Sequence, residues 1–192
     1  MTEELGKKQL SLSVLALKTV VVHTITYFAA GILAYTLGGY EKTFSEPPLS
    51  YLMRPTSDPL VMAGPLFQPI RGMIFALALY PLRSVLFGQR RGWLILWWLL
   101  LALGVLSTFG PSPGSVEGLI YTIIPPVSQI LGLWEVLLQS LLFSFVLFYW
   151  VNNPGKRWLN WTLGAVFFIV MVLPVLGLLV GEPDPARTTR PG

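Results

Sequence analysis

The stretch GWLILWWLLLALGVLSTF, residues 92–109, decides the fold class of this chain. It contains no charged residue and consists almost entirely of leucine, tryptophan, isoleucine, valine and small residues. A helix needs roughly 20 predominantly apolar residues to cross the hydrocarbon core of a bilayer. We therefore predict a transmembrane helix over this stretch.

The composition of the whole chain agrees with a membrane protein. Of the 192 residues, 54% are hydrophobic and 11% are charged, whereas an ordinary soluble domain carries about 25% charged residues. Lipid must therefore cover much of the surface. There is no cysteine, which excludes disulfides, thiolate metal sites, iron–sulfur clusters and cysteine nucleophiles. The net charge of +4 is small and does not predict a nucleic-acid partner.

Four further apolar segments have the length of a span. They cover residues 19–38, 60–82, 131–151 and 158–180. We predict an all-α fold, a polytopic transmembrane helix bundle of about five spans that forms one domain over residues 19–180. Residues 1–18 are an N-terminal segment, and residues 181–192 are expected to form a polar, disordered tail.

Two segments are predicted to be irregular. Pro65 and Pro69 interrupt the first half of the second span, because proline removes a helical hydrogen bond and clashes with the preceding turn. Broken backbone at membrane depth is tolerated only where protein or a water-filled cavity surrounds it. Residues 119–130 are apolar but too short to span, and Pro125 and Pro126 cut them. We predict a re-entrant or interfacial piece there, before the fourth span.

Basic residues and tryptophans predict the orientation. With the N-terminus inside, eight Lys and Arg residues fall on the inner side and four on the outer side, in the direction of the positive-inside rule. The inner set is Lys7, Lys8, Lys18, Arg83, Arg90, Arg91, Lys156 and Arg157, and the outer set is Lys42, Arg54, Arg187 and Arg190. Tryptophans at 93, 150, 158 and 161 flank the inner turns, where an aromatic belt belongs. The prediction is a multi-pass protein of the cell membrane, with its N-terminus in the cytoplasm and its C-terminus outside.

Two ionisable residues fall well inside predicted spans. An ionisable side chain near the bilayer centre costs roughly 2.5–3.5 kcal/mol on insertion scales and marks a functional candidate. Arg71 lies in the second span, three residues after Gln68, and Glu135 lies in the fourth span, four residues before Gln139. Each pair shares one helical face. We hypothesise that Arg71 meets Glu135 and that both glutamines join the network.

Two interpretations of this network remain open. In the functional one it is a ligand-binding pocket that opens outward, capped by the loop that carries Arg54 and Asp58 and rimmed by Glu117 and Tyr121. In the structural one the Arg–Glu pair pins two helices together around the broken backbone. Transmembrane ion pairs serve both purposes.

His23 is a third candidate inside a span. Ala30, Ala34 and Gly38 continue its helical face and form a stripe of small residues, which lets another helix approach closely. In the packing interpretation this face is buried and His23 hydrogen-bonds to a neighbour or to Thr24. The alternative is a proton relay, because histidine titrates near neutral pH. One histidine without cysteine predicts no metal site, and no residue pattern identifies a cofactor.

Three functions agree with these features. The first is binding or transport of a small ligand, for which the cation Arg71 favours an anionic or carboxylate-bearing one, within an expected homo-oligomer. The second is an accessory or structural subunit of a larger membrane complex. The third is a membrane enzyme acting on a lipid-like substrate, with a glutamate as general acid or base. No nucleophile–base pair and no phosphate-binding loop is visible in the sequence.

Overall fold

The computed structural model describes residues 10–180 of the chain, and the regular structure of this part is helical, with no β-strand. The α-helices are α1 (Leu12–Gly38), α2 (Tyr40–Ser45), α3 (Pro59–Met62), α4 (Gly64–Leu79), α5 (Arg83–Phe87), α6 (Gly92–Leu101), α7 (Val116–Tyr121), α8 (Pro126–Asn152) and α9 (Arg157–Val180). A 3₁₀-helix covers Leu49–Tyr51, and a π-helix, Ala102–Leu106, directly continues α6. The predicted C-terminal tail, residues 181–192, lies outside the described residues, as do residues 1–9.

Three helices, α1, α8 and α9, are long and apolar enough to cross a membrane. α1 and α8 have 27 residues each, which is about 40 Å at 1.5 Å per residue and exceeds the roughly 30 Å hydrocarbon core. Two shorter apolar helices are Gly64–Leu79 and Gly92–Leu106; the second is called the α6–π segment below. The prediction of an all-α protein with apolar helices of membrane-spanning length is confirmed.

The second apolar segment is more regular than its prolines predict. α4 begins at Gly64 and continues through Pro65 and Pro69, so the irregular backbone expected in the first half of this segment does not lie at the prolines. Pro65 lies in the first turn, where a backbone N–H has no intrahelical acceptor in any case, and Pro69 removes a single bond. The interruption lies just before α4, at Ala63, which separates it from the single turn of α3.

The fourth long segment begins earlier than predicted. α8 begins at Pro126 and not at residue 131, because proline fits the first turn of a helix. The expected re-entrant or interfacial piece, residues 119–130, is divided between the short α7, an extended stretch and the first turn of α8.

The buried amide of Gln129 holds the loop that precedes α8. Gln129 is 3% exposed, and its Oε1 accepts a hydrogen bond from the backbone N–H of Gly114 at 3.0 Å. Its Nε2 has two hydrogens to donate and lies 2.7 Å from the Ile124 carbonyl, 3.1 Å from the Thr122 hydroxyl and 3.3 Å from the Gly118 carbonyl. Gly114 has a φ of 85°, a left-handed conformation that favours glycine. The side chain of Gln129 therefore connects the part of the loop before α7 with the part after it.

α1 is the central helix of the bundle. It packs most extensively against α4, then against α8 and α9, whereas α6 packs chiefly against α8. Contact between α4 and the α6–π segment is at most marginal within residues 10–180. A groove therefore runs between these two helices, with α1 and α8 behind it.

Apolar helices that follow one another along the chain run in opposite directions. Lys18, near the start of α1, donates to the carbonyl of Trp150, near the end of α8, at 2.8 Å. At the other end of α1, Tyr40 bonds to Glu135, in the first half of α8. The basic end of the bundle carries Lys18, Arg83, Arg90, Arg91, Lys156 and Arg157, and the loop end carries residues 39–63 and 107–125.

The apolar core lies toward the basic end. Its fully buried members include Leu15 and Val22 of α1, Leu86 of α5, Leu96 of α6 and Leu147 of α8. In lipid such packing is stabilised by van der Waals contact between the side chains. The helices are therefore joined most tightly at the basic end, below the groove.

The closest approach between α1 and α4 occurs at Gly72. A Cβ atom at Gly72 would lie 2.7 Å from the Cα of Val20 and 3.3 Å from its backbone nitrogen. Since Cβ atoms do not approach backbone atoms so closely, only glycine permits this helix spacing.

Candidate functional site

The groove between α4 and the α6–π segment contains a cavity of about 90 Å³. Its lining residues are His23, Arg71, Phe75, Leu100, Gly104, Val105, Val136, Gln139, Ser140 and Phe143. Arg71 and Gln139 lie at the midpoints of α4 and α8, and His23 lies within one turn of the midpoint of α1. The polar residues of the groove are therefore at mid-depth in the bundle.

His23 forms the polar part of the cavity floor. It is 2% exposed, and its Nε2 lies 3.1 Å from Oε1 of Gln68. The Nε2 of Gln68 donates to the Gly64 carbonyl at 3.1 Å, which leaves Oε1 of Gln68 as an acceptor and makes Nε2 of His23 the donor. Phe75 and Phe143 meet the imidazole edge-on, with ring centroids 4.9 and 5.7 Å away.

This pairing predicts a distinctive pattern of stability. His23→Leu or Gln68→Leu alone is expected to cost about 1–3 kcal/mol, because each leaves a buried polar partner unsatisfied. The double variant is expected to lose less than the sum of the two, because it removes both partners together. Thermal unfolding of the four proteins in one detergent measures this, and strictly additive losses would show that the two side chains do not support each other.

Arg71 lies on the α4 wall of the groove with its side chain exposed. Its guanidinium carbon is 5.7 Å from the centroid of the Phe75 ring. The ion pairs among residues 10–180 are Lys42–Glu46 at 4.0 Å and Arg54–Asp58 at 3.1 Å. The hypothesised pair between Arg71 and Glu135 is therefore not formed in this part of the chain.

Glu135 has a different partner because it lies one turn nearer the loop end of α8 than Gln139. Its carboxylate accepts a hydrogen bond from the hydroxyl of Tyr40, whose ring stacks on Phe44. Tyr27 of α1 is close enough to interact electrostatically with both Arg71 and Glu135. Glu135 is thus adjacent to the groove and does not line it.

The other residues predicted for the pocket lie apart from it. Arg54 and Asp58 form their own ion pair before α3, and Asp58 caps that helix by accepting from the N–H of Leu60 at 2.8 Å. Glu117 and Tyr121 are on α7, outside the cavity lining. The structure brings together Arg71, Gln139 and His23, with Gln68 directly behind His23.

Several groove residues were missed in the sequence. On α8, Ser140 accepts a hydrogen bond from Trp97 of α6 at 3.2 Å, and Val136 and Phe143 continue its face at helical spacing, a signal that was available. The π-helix, which places Gly104 and Val105 on the groove, carries no periodic signal. π-helical turns occur frequently at functional sites.

The chemistry of the cavity is that of a cation beside neutral polar groups. Arg71 offers five N–H donors in a planar fork, and Gln139 and Ser140 add an amide and a hydroxyl. Within residues 10–180 no three His, Asp or Glu side chains converge on a point that would suit a metal ion. Such a donor set favours a carboxylate or a phosphate. Comparisons of the chain with protein-family models, with curated proteins and with solved structures find no match.

Proposed function

We propose that this chain is a multi-pass membrane protein that binds a small ligand through an anionic group held at Arg71. The observation that carries the proposal is the guanidinium of Arg71, which lies at mid-helix on an apolar groove with no acidic side chain within 4.0 Å among the described residues. A charge placed this way is costly in a membrane. A carboxylate or phosphate would offset that cost through two parallel hydrogen bonds.

The alternating helix directions support five crossings. The basic residues gathered at one end, six of them between Lys18 and Arg157, support a cytoplasmic location for that end. At this end the Lys18 ammonium also donates to the carbonyl of Trp150 in the last turn of α8, where cations are favoured. In this arrangement the N-terminus is inside, the C-terminus is outside, and the loop end of the groove faces outward.

The position of the cavity at mid-depth in the bundle favours a protein that transports the ligand it binds. Alternating-access sites lie near the bilayer midplane, beside interrupted helices, and here Arg71 and Gln139 are at mid-helix while Ala63 and the π-helix interrupt the flanking segments. Five spans are few for a transporter, so a homo-oligomer is the expected assembly. Recovery of stoichiometric foreign subunits from the native membrane would instead make Arg71 an interface residue of a larger complex.

Anion binding is tested by ligand-induced thermal stabilisation of the purified protein. Acetate, benzoate and inorganic phosphate are the probes, with choline as a cationic comparison. Arg71→Gln is expected to weaken the effective anion about 10-fold or more, because a hydrogen bond to a charged group contributes about 1.5–3 kcal/mol. The matched control is Arg90→Gln, which removes an exposed cation at the basic end and should change nothing. Equal stabilisation of both variants by every anion would refute the proposal.

A further inference from the structure

We infer that the ligand is an anionic amphiphile taken from the bilayer, with its headgroup at Arg71 and its hydrocarbon chain in the groove between α4 and the α6–π segment. This inference rests on the proposed anion site and names the class of molecule that the site accepts.

The size of the cavity separates the headgroup from the rest of the ligand. A pocket that encloses a whole drug-sized ligand has about 300–1,000 Å³, whereas this cavity has about 90 Å³. The space therefore suits a carboxylate or a phosphate with the atoms next to it, and not a whole drug-sized molecule. The remainder of a larger ligand must therefore lie outside the cavity, along the groove.

The cavity that contains Arg71 also has apolar walls. Phe75 is on the α4 side, Leu100 and Val105 are on the α6–π side, and Val136 and Phe143 are on α8 behind them. These walls match the methylenes next to a headgroup at Arg71, whereas a wholly polar solute would place no apolar surface against them.

The groove is open toward the side of the bundle. α4 and the α6–π segment are joined by at most marginal contact among the described residues, so no helix closes the groove laterally. At Gly104 an added Cβ would meet no atom within 4 Å, which places open space beside the π-helix. A chain already in the bilayer can therefore reach Arg71 without passing through either aqueous end.

The charge of Arg71 selects among amphiphiles. From Gly64 to Arg71 is seven residues along α4, or about 10 Å at 1.5 Å per residue. A headgroup bound at Arg71 is therefore drawn inward from the loop end, and the guanidinium favours an anionic headgroup for this position over a neutral or cationic one.

The test compares carboxylates that share a headgroup and differ in chain length. The wild-type protein in a neutral detergent is titrated with acetate, octanoate and laurate, and laurate concentrations are expressed per micelle volume to remove simple partitioning. We expect laurate to bind about tenfold or more tightly than acetate, because its chain makes van der Waals contacts with the groove that acetate cannot make. Dodecyltrimethylammonium, which has the same chain length and a cationic headgroup, should not stabilise the protein.

Two glycine variants locate the chain. Gly104→Leu fills the open space beside the π-helix and is expected to reduce the laurate-to-acetate affinity ratio about fivefold or more. Gly164→Leu adds the same side chain at another open position, on α9 away from the groove, and should preserve the ratio. If Gly104→Leu unfolds, lipids co-purified with wild type and with Arg71→Gln provide the second measurement, and the variant should carry less phosphatidylglycerol than wild type.

The outcomes separate the two proposals. If acetate and laurate bind equally and Gly104→Leu changes neither, the amphiphile inference is overturned while the anion site stands. If no carboxylate stabilises the wild-type protein and Arg71→Gln retains its phosphatidylglycerol, both proposals fail.

Discussion

Gly72→Ala is expected to destabilise the protein by about 2–3 kcal/mol, although it adds a single methyl group. The new Cβ would lie 2.7 Å from the Cα of Val20, and a backbone atom cannot rotate away as the end of a side chain can. α1 and α4 must therefore separate along their most extensive contact. The 3.1 Å hydrogen bond between His23 and Gln68, one turn away, would lengthen with that separation.

The measurement is thermal unfolding, compared with Gly31→Ala in α1. An added Cβ at Gly31 meets nothing within 4 Å, so this control should gain up to about 1 kcal/mol from the higher helix propensity of alanine. We therefore expect the same change, glycine to alanine, to lower the stability at Gly72 and to raise it at Gly31. A Gly72→Ala protein as stable as its Gly31→Ala counterpart would show that the two helices are not in the described contact.

Gln129→Leu is expected to cost about 3 kcal/mol or more. The substitution keeps the size of the side chain but leaves the Gly114 N–H and the Ile124 carbonyl without their partner, and each buried unsatisfied group costs about 1–3 kcal/mol. Gln129→Glu should also be destabilising, because a carboxylate accepts from Gly114 but cannot donate to Ile124. The loop therefore needs a side chain of this size that both accepts and donates hydrogen bonds, as the amide does.

Limited proteolysis between residues 107 and 125, together with thermal unfolding, measures this effect. Both Gln129 variants should be cleaved faster than wild type in this loop. Gln89→Leu, at an exposed position in the turn before α6, is the matched control and should leave both readouts unchanged. Unchanged cleavage in the Gln129 variants would mean that the loop holds its shape without the amide.

The fold could be predicted to the level of helices and their approximate positions. Apolar run length identifies helices such as α8 and α9 directly, because a bilayer requires it. The ends were harder to predict, since proline has opposite effects in the first turn and in the interior of a helix. For this reason the sequence prediction placed Pro126 before the fourth span, whereas Pro126 begins α8. The prediction also took Pro65 to break the second span, whereas Pro65 lies in the first turn of α4.

The site could be predicted only in part. The free-energy cost of a charge in a membrane identifies Arg71 as a candidate from the sequence alone. Helical spacing places Gln68 on the face of Arg71 and Gln139 on the face of Glu135. Spacing within one helix, however, does not tell which helix packs opposite that face. The pairing of Arg71 with Glu135 was wrong for that reason, because a turn of offset along α8 brings Glu135 to Tyr40 instead. Whether the groove binds an anion stays a prediction.

The central place of α1 has a consequence for biosynthesis. α1 leaves the ribosome before every helix that covers it, yet its buried residues include Lys18, Thr19, His23, Thr24 and Thr26. The acceptor for Lys18 is 132 residues further along the chain, on the order of ten seconds of translation at 5–20 residues per second. During that interval α4 alone can shelter His23, through Gln68, while Lys18 waits for α8. α1 and α4 are therefore the first helices that can pair a buried polar group of α1, whereas Lys18 has no acceptor until α8 is made.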